Sequence, residues 1–124
     1  MFVSPRLARF ARIALLVVAV CAFVLAILPT APGPERMNDK VNHAFAFFVL
    51  ATLARAGWPR ASGMRIFVLL TAFGGLIEIA QGLDWIGRDA DIYDLIADMV
   101  GIVIGLVTAR LVLRFAPEVT EDHR

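Results

Sequence analysis

Four apolar runs, separated by short segments rich in glycine, proline and charged residues, constrain this chain more than any other feature. They extend over Ile13–Leu28, Val41–Ala56, Ile66–Gly82 and Leu95–Leu113. Hydrophobic residues make up 60% of the 124 residues, and a soluble domain of this length could not bury so much apolar surface. We therefore predict an all-α, polytopic membrane protein, a single domain over residues 1–124 built as a bundle of four transmembrane helices.

The second run is the weakest of the four as a membrane span. A bilayer core of about 30 Å needs roughly 20 helical residues, and Val41–Ala56 is shorter than that. We expect the polar turn Asn38–His43 to extend this helix, or neighbouring helices to shield it. The first run lacks a convincing cleavage site, so we expect it to remain as an uncleaved helix.

The basic residues beside the runs predict an orientation. One set falls on one side of the membrane: Arg6, Arg9, Arg12, Arg55, Arg60, Arg65, Arg110 and Arg114. A smaller set falls on the other: Arg36, Lys40 and Arg88. The positive-inside rule then places both termini in the cytoplasm, and we expect a multi-pass protein of the bacterial inner membrane.

With this orientation, polar residues from separate segments reach the outer end of the bundle. We predict a binding site there made of Asp39, Lys40, His43, Glu78, Gln81, Arg88, Asp94 and Asp98. Helical spacing adds two stripes of small and polar residues. The stripe on the third helix is Thr71, Gly74, Gly75, Glu78, Gln81 and Gly82, and that on the fourth is Asp94, Asp98, Gly101, Gly105 and Thr108.

Glu78 and Asp98 are expected to lie within the hydrocarbon core, where an ionised carboxylate is costly unless it is paired, hydrated or protonated. Function is the default interpretation of such residues, although a structural hydrogen-bonding role remains open. His43, Glu78 and Asp94 are the candidates for acid–base chemistry. Asp94 could equally be only the cap or first-turn acid of the fourth helix.

Two further patterns bear on chemistry and packing. A histidine with three carboxylates resembles a divalent-metal site, but the spacing matches no known metal signature. We therefore predict neither a metal nor a cofactor, and we keep the metal as the lesser alternative. Gly101 and Gly105 predict close packing of the fourth helix against a neighbour. No nucleic-acid-binding pattern is present.

Several short motifs, taken in order, resemble VanZ-like membrane proteins. The string Asp39-Lys40-Val41-Asn42-His43, followed by Phe47 and Leu50, resembles that family's "DKxxH…F…L" opening. Gly74 to Gln81 is similar to its "G…ExxQ" element, and Arg88, Asp94, Gly101 and Gly105 resemble its ending. Asp98 stands where the family usually has asparagine. The resemblance covers more than half of the chain.

The family takes its name from a protein linked to resistance to the glycopeptide teicoplanin, so the resemblance implies a role in the cell envelope. Our leading hypothesis is a protein that binds the headgroup of a lipid or cell-wall precursor in an outward-facing polar pocket, with Lys40 and Arg88 gripping phosphate or carboxylate. An enzyme acting on a lipid-linked headgroup remains an alternative. So does a structural or assembly subunit, and an oligomer is compatible with all three.

Overall fold

A computed structural model describes residues 3–28, 36–83 and 91–115, with the backbone alone for residues 36–39. This part of the chain contains four helices: α1 (Pro5–Ile27), α2 (Arg36–Gly57), α3 (Gly63–Gln81) and α4 (Ile92–Phe115). The prediction of an all-helical chain with four helices is confirmed for these described residues. The helices are longer than the apolar runs because their polar ends are helical as well.

The helix starts follow from local chemistry. The Ser4 side chain accepts a hydrogen bond from the backbone N–H of Leu7, and Pro5 occupies the first turn of α1, where its missing N–H costs nothing. Ser62 caps α3 by accepting from the N–H of Arg65. The expected extension of the second helix is confirmed, because α2 already begins at Arg36.

Three of the four helices, α1, α3 and α4, are long and apolar enough to cross a membrane. Helix α2 is different because its first two turns are polar, from Arg36 to His43. Large apolar side chains are exposed along the three apolar helices, for example Leu16, Val20, Leu69, Ile79 and Ile104. Such exposed surface is unfavourable in water and suits contact with lipid tails.

Helix α2 lies at the centre of the bundle and contacts each of the other three helices. Its buried face carries Phe47, Leu50 and Ala51, which pack with Ile77 of α3 and Ile102 of α4 in one core. This apolar face of α2 is thus shielded by its neighbours.

Gly101 and Gly105 bring α4 into close contact with α2. A Cβ atom at Gly101 would overlap the backbone carbonyl of Ala44, and one at Gly105 would lie 2.6 Å from the carbonyl oxygen of Phe48. The predicted close packing is confirmed, with α2 as the neighbour. The geometry is that of a small-xxx-small contact between helices.

The stripe predicted on α3 is narrower than expected. Gly74, Glu78 and Gln81 are buried, and Ile77 is buried with them. Gly75 belongs outside the packed stripe, because a Cβ atom there would meet no other atom within 4 Å, and Gly82 is exposed. The prediction was wrong for these two glycines because helical phase gives the direction of a residue and not the position of the neighbouring helix.

Candidate functional site

Antiparallel succession of the helices brings the beginning of α2, the end of α3 and the beginning of α4 to one end of the bundle. We call it the polar end and define it by Lys40, His43, Glu78, Gln81, Asp91, Asp94 and Asp98. The predicted convergence of side chains from three segments is therefore seen for the residues whose side chains the structure describes. Those of Asp39 and Arg88 lie outside the described residues.

His43 and Asp98 form a buried contact at the polar end. His43 Nδ1 lies 2.9 Å from Asp98 Oδ1, and the two side chains are 9% and 0% exposed. His43 comes from α2 and Asp98 from α4, so the contact joins the two helices one turn before Gly101 approaches Ala44. A carboxylate placed in this way fixes the orientation of the imidazole ring.

Gly74 makes room for Asp98 on the facing helix. A Cβ atom at Gly74 would lie 2.7 Å from Asp98 Oδ2 and 3.3 Å from atoms of Leu95 and Phe47. The carboxylate therefore rests against the backbone of α3, one turn before Glu78. A side chain at position 74 would collide with Asp98, whereas a Cβ atom at the neighbouring Gly75 would contact nothing.

Glu78 completes a compact group at the end of α3. Its Oε2 accepts a hydrogen bond of 2.9 Å from the backbone N–H of Asp91, and its Oε1 is buried without a hydrogen-bond partner in the described part of the chain. His43, Glu78 and Asp98 each offer one nitrogen or oxygen atom, and these three atoms lie within 4.8 Å of one another. We call these three residues the inner triad.

Lys40 lies at the rim of the polar end, outside the three apolar helices. Its Nζ contacts Asp91 Oδ2 at 2.9 Å and Asp94 Oδ1 at 3.1 Å. The lysine that was predicted to bind an anion therefore already has its ammonium group bound to two carboxylates.

Asp91 belongs to this site and was missed by the sequence analysis. It directly precedes α4, and its Oδ1 accepts a hydrogen bond of 2.9 Å from the N–H of Tyr93. Asp94 is in the first turn of α4 and is buried against Lys40. The signal was available, because an aspartate immediately before a helix is a typical capping residue.

Gln81 faces a different helix from the inner triad. Its Nε2 donates a hydrogen bond of 2.9 Å to the backbone carbonyl of Ala26 near the end of α1. Gln81 is 1% exposed, so it ties α1 to α3 inside the bundle. The structure thus gives this predicted binding residue a packing partner, while its Oε1 is buried without a hydrogen-bond partner among the described residues.

The charges at the polar end are unevenly balanced. Its described side chains include four carboxylates, those of Glu78, Asp91, Asp94 and Asp98, against the one ammonium of Lys40. Such a surface repels a bare anion and accepts hydrogen bonds from hydroxyl or amino groups, or binds a cation. The inner triad is also closed, since each of its residues is at most 9% exposed, so a ligand would approach over the rim formed by Lys40 and Asp91.

A shallow cleft of about 390 Å³ lies at the opposite end of the bundle. It is lined by Arg55, Pro59, Gly63, Leu106, Val107 and Arg110. None of the predicted site residues borders it. The predicted site residues that the structure describes therefore lie at the polar end, and this cleft is lined by other residues.

No model of a known protein family matches the chain, and no curated protein or solved structure matches it. The resemblance to VanZ-like proteins consequently rests on the motifs quoted above. The geometry of the polar end has to be interpreted from its own residues.

Proposed function

We propose that this chain is a VanZ-like protein of the bacterial inner membrane in which all four helices span the bilayer, both termini lie in the cytoplasm and the polar end faces outward. The support is the segregation of charge along the bundle. Arg12 contacts Gly57, and Arg55 contacts Ala61, so basic residues from two parts of the chain meet at the end opposite to Glu78. The positive-inside rule assigns that basic end to the cytoplasm.

Cysteine labelling tests this topology. In a Cys21→Ala chain, single cysteines are placed at Gly33, Ala61 and Leu83. Their reaction with a membrane-impermeant maleimide shows on which side of the membrane each position lies. We expect Gly33→Cys and Leu83→Cys to react in intact cells, and Ala61→Cys to react only after permeabilisation. Labelling of positions 33 and 61 from the same side would show that α2 does not cross.

The function that we propose is binding of the polar headgroup of a lipid or cell-envelope precursor at the polar end. One observation carries it: three helices place hydrogen-bonding side chains, including the buried Glu78 and Asp98, at one depth of an apolar bundle. Intramembrane ionisable groups are costly and mark ligand sites by default. The excess of carboxylates favours a headgroup that donates hydrogen bonds, such as a sugar hydroxyl or an amine.

A role in teicoplanin-type resistance is the biological setting that the VanZ-like motifs suggest for this binding. It is carried by the motifs alone. Binding at an outward-facing site fits such a role, since glycopeptides act on cell-wall precursors outside the membrane.

The binding proposal is tested with the full chain in nanodiscs and a panel of lipids with zwitterionic, anionic and glycosylated headgroups. Glu78→Gln should weaken retention of the preferred lipid by about tenfold, the worth of a hydrogen bond to a charged group. The matched control is Arg65→Gln, an exposed residue near the other end of the same helix. If Glu78→Gln retains lipids as wild type does while remaining folded, the polar end does not bind headgroups.

An enzyme acting on a lipid-linked headgroup is the second candidate, and the contact of His43 Nδ1 with Asp98 at 2.9 Å favours it. A histidine oriented by a carboxylate is a common general base, and Glu78 lies close enough to serve as the acid. Turnover of lipid phosphates or lipid-linked sugars by the purified protein, abolished in His43→Ala, would support this candidate. Loss of stability in Glu78→Gln without any ligand effect would favour a structural subunit instead.

A further inference from the structure

We propose that the inner triad of His43, Glu78 and Asp98 binds one divalent transition-metal ion of the Mn²⁺ or Zn²⁺ class. This goes beyond headgroup binding and does not depend on it. The three residues come from α2, α3 and α4, and each offers a ligand atom within 4.8 Å of the other two. They are 9%, 9% and 0% exposed, so the group is held inside the bundle and is not a surface patch.

The geometry needs little change to close around an ion. Two atoms that each lie about 2.1 Å from a metal are about 3.4 Å apart at the tetrahedral angle and at most about 4.2 Å apart. The three ligand atoms lie within 4.8 Å of one another, so they would have to approach by roughly 1 Å, a change that rotation between side-chain rotamers can supply.

Glu78 supplies an independent indication of a ligand. Its Oε2 is fixed by the N–H of Asp91, while Oε1 is buried and makes no hydrogen bond to the described residues. Burying a carboxylate oxygen without a partner is costly. A metal ion bound at Oε1 would satisfy it, and the hydrogen bond at Oε2 is the kind of outer contact that orients a metal-binding carboxylate.

The charge of the polar end agrees with a cation. The polar end has four described carboxylates and one described ammonium group, that of Lys40. This ammonium group already forms ion pairs with Asp91 and Asp94 at the rim. A divalent ion at the inner triad would offset this excess of negative charge.

The ligand set selects the kind of metal. Imidazole nitrogen suits Zn²⁺ and other later transition metals, whereas carboxylates also suit Mn²⁺. Ca²⁺ takes six to eight oxygen ligands, which one imidazole and two carboxylates do not offer. Three protein ligands would leave at least one coordination position for water or a ligand group, as in catalytic rather than structural zinc sites.

The first experiment measures metal content and affinity of the purified full chain in phosphatidylcholine nanodiscs. After stripping with chelator, Mn²⁺ or Zn²⁺ is added alone, and we expect one ion per chain. Asp98→Asn and Glu78→Gln should each weaken binding by at least about tenfold, since even the loss of an orienting partner costs about 10–100-fold. Both replacements keep the shape of the side chain.

Asp89→Asn is the charge-matched control, because it removes one negative charge from the sequence between α3 and α4 and is not one of the three residues of the inner triad. Its affinity should stay within about threefold of wild type, the size expected for the loss of a single solvent-screened charge. Equal losses in all three variants would mean diffuse attraction of cations, and the site proposal would be wrong. Failure of wild type to bind either metal would also overturn it.

A second measurement needs no change in the inner triad. In a His123→Ala chain, His43 is the only histidine, and Mn²⁺ bound to protein labelled with ¹⁵N-histidine should show coupling to an imidazole nitrogen by pulsed electron paramagnetic resonance. Bound Mn²⁺ without this coupling would exclude His43 as a ligand and overturn the proposal. Lipid retention measured in the presence of chelator distinguishes the metal proposal from the headgroup proposal. If the protein retains lipid but binds no metal, the metal proposal is wrong and the headgroup proposal is unaffected.

Discussion

The two ends of the bundle both carry charged side chains, yet they hold them in opposite ways. At the arginine end, which we define by Arg12, Arg55 and the segment 57–62, Arg12 Nε donates to the carbonyl of Gly57 at 2.6 Å and Arg55 donates to the carbonyl of Ala61. Arg12 also lies over the ring of Trp58, 5.2 Å from its centre. At the polar end, charged side chains contact one another.

The difference shows what each end requires from the rest of the fold. A cation beside the last carbonyls of a helix is favoured by the helix dipole and stays in contact with water. The arginine end therefore needs no buried charged partner, even though Arg12 joins α1 to the end of α2 there. Asp98 is 0% exposed, and a buried carboxylate is tolerated only when other segments bring partners to it. Stability should accordingly be more sensitive to mutation at the polar end.

The largest expected effect is at Asp98. Asp98→Ala removes the carboxylate that contacts His43, and breaking a buried pair of this kind should lower the free energy of unfolding by about 3 kcal/mol. Asp98→Asn should cost less than half as much, because an amide oxygen can still accept a hydrogen bond. Thermal unfolding in one detergent gives both values. Equal losses in the two variants would show that charge and not hydrogen bonding stabilises this contact.

An intermediate effect is expected where α4 meets α2, one turn below the inner triad. Gly101→Ala would force a Cβ atom against the carbonyl of Ala44, and overpacking of this kind costs about 1–3 kcal/mol. Gly75→Ala is the matched control, since its Cβ meets nothing within 4 Å and alanine is the better helix former by up to about 1 kcal/mol. The same unfolding assay should thus give opposite signs, and a common sign would contradict the described α2–α4 contact.

The smallest effect is expected at the arginine end. Arg12→Gln removes the hydrogen bond to Gly57 and the contact with Trp58, but it leaves no buried charge without a partner. We expect a loss of about 0.3–1 kcal/mol, the usual worth of a cation at a helix C-terminus, and a smaller difference from wild type at high salt. A loss as large as that of Asp98→Ala would contradict the contrast between the two ends.

The sequence predicted the number of helices and the convergence at the polar end because both follow from short-range pattern. Apolar runs and capping residues such as Ser4 and Ser62 define helices. Alternating helix direction then places His43, Glu78 and Asp98 at the same end. Register within the site could not be predicted in this way, as the errors at Gly75 and Gly82 demonstrate, whereas Asp91 was missed although its position before α4 is a sequence signal for a cap.

By itself, then, the sequence determined four helices, an apolar chain suited to lipid and a polar end, because local hydrophobicity and helical period are sufficient for these features. Only the tertiary structure decided that Lys40 pairs with Asp91 and Asp94 and that Gln81 binds α1. It also decided that the ligand atoms of the inner triad lie within a few ångströms of one another. These depend on how deeply each helix sits against its neighbours. That depth is set by contacts between residues distant in the chain, such as Gly101 with Ala44 and Gly74 with Asp98.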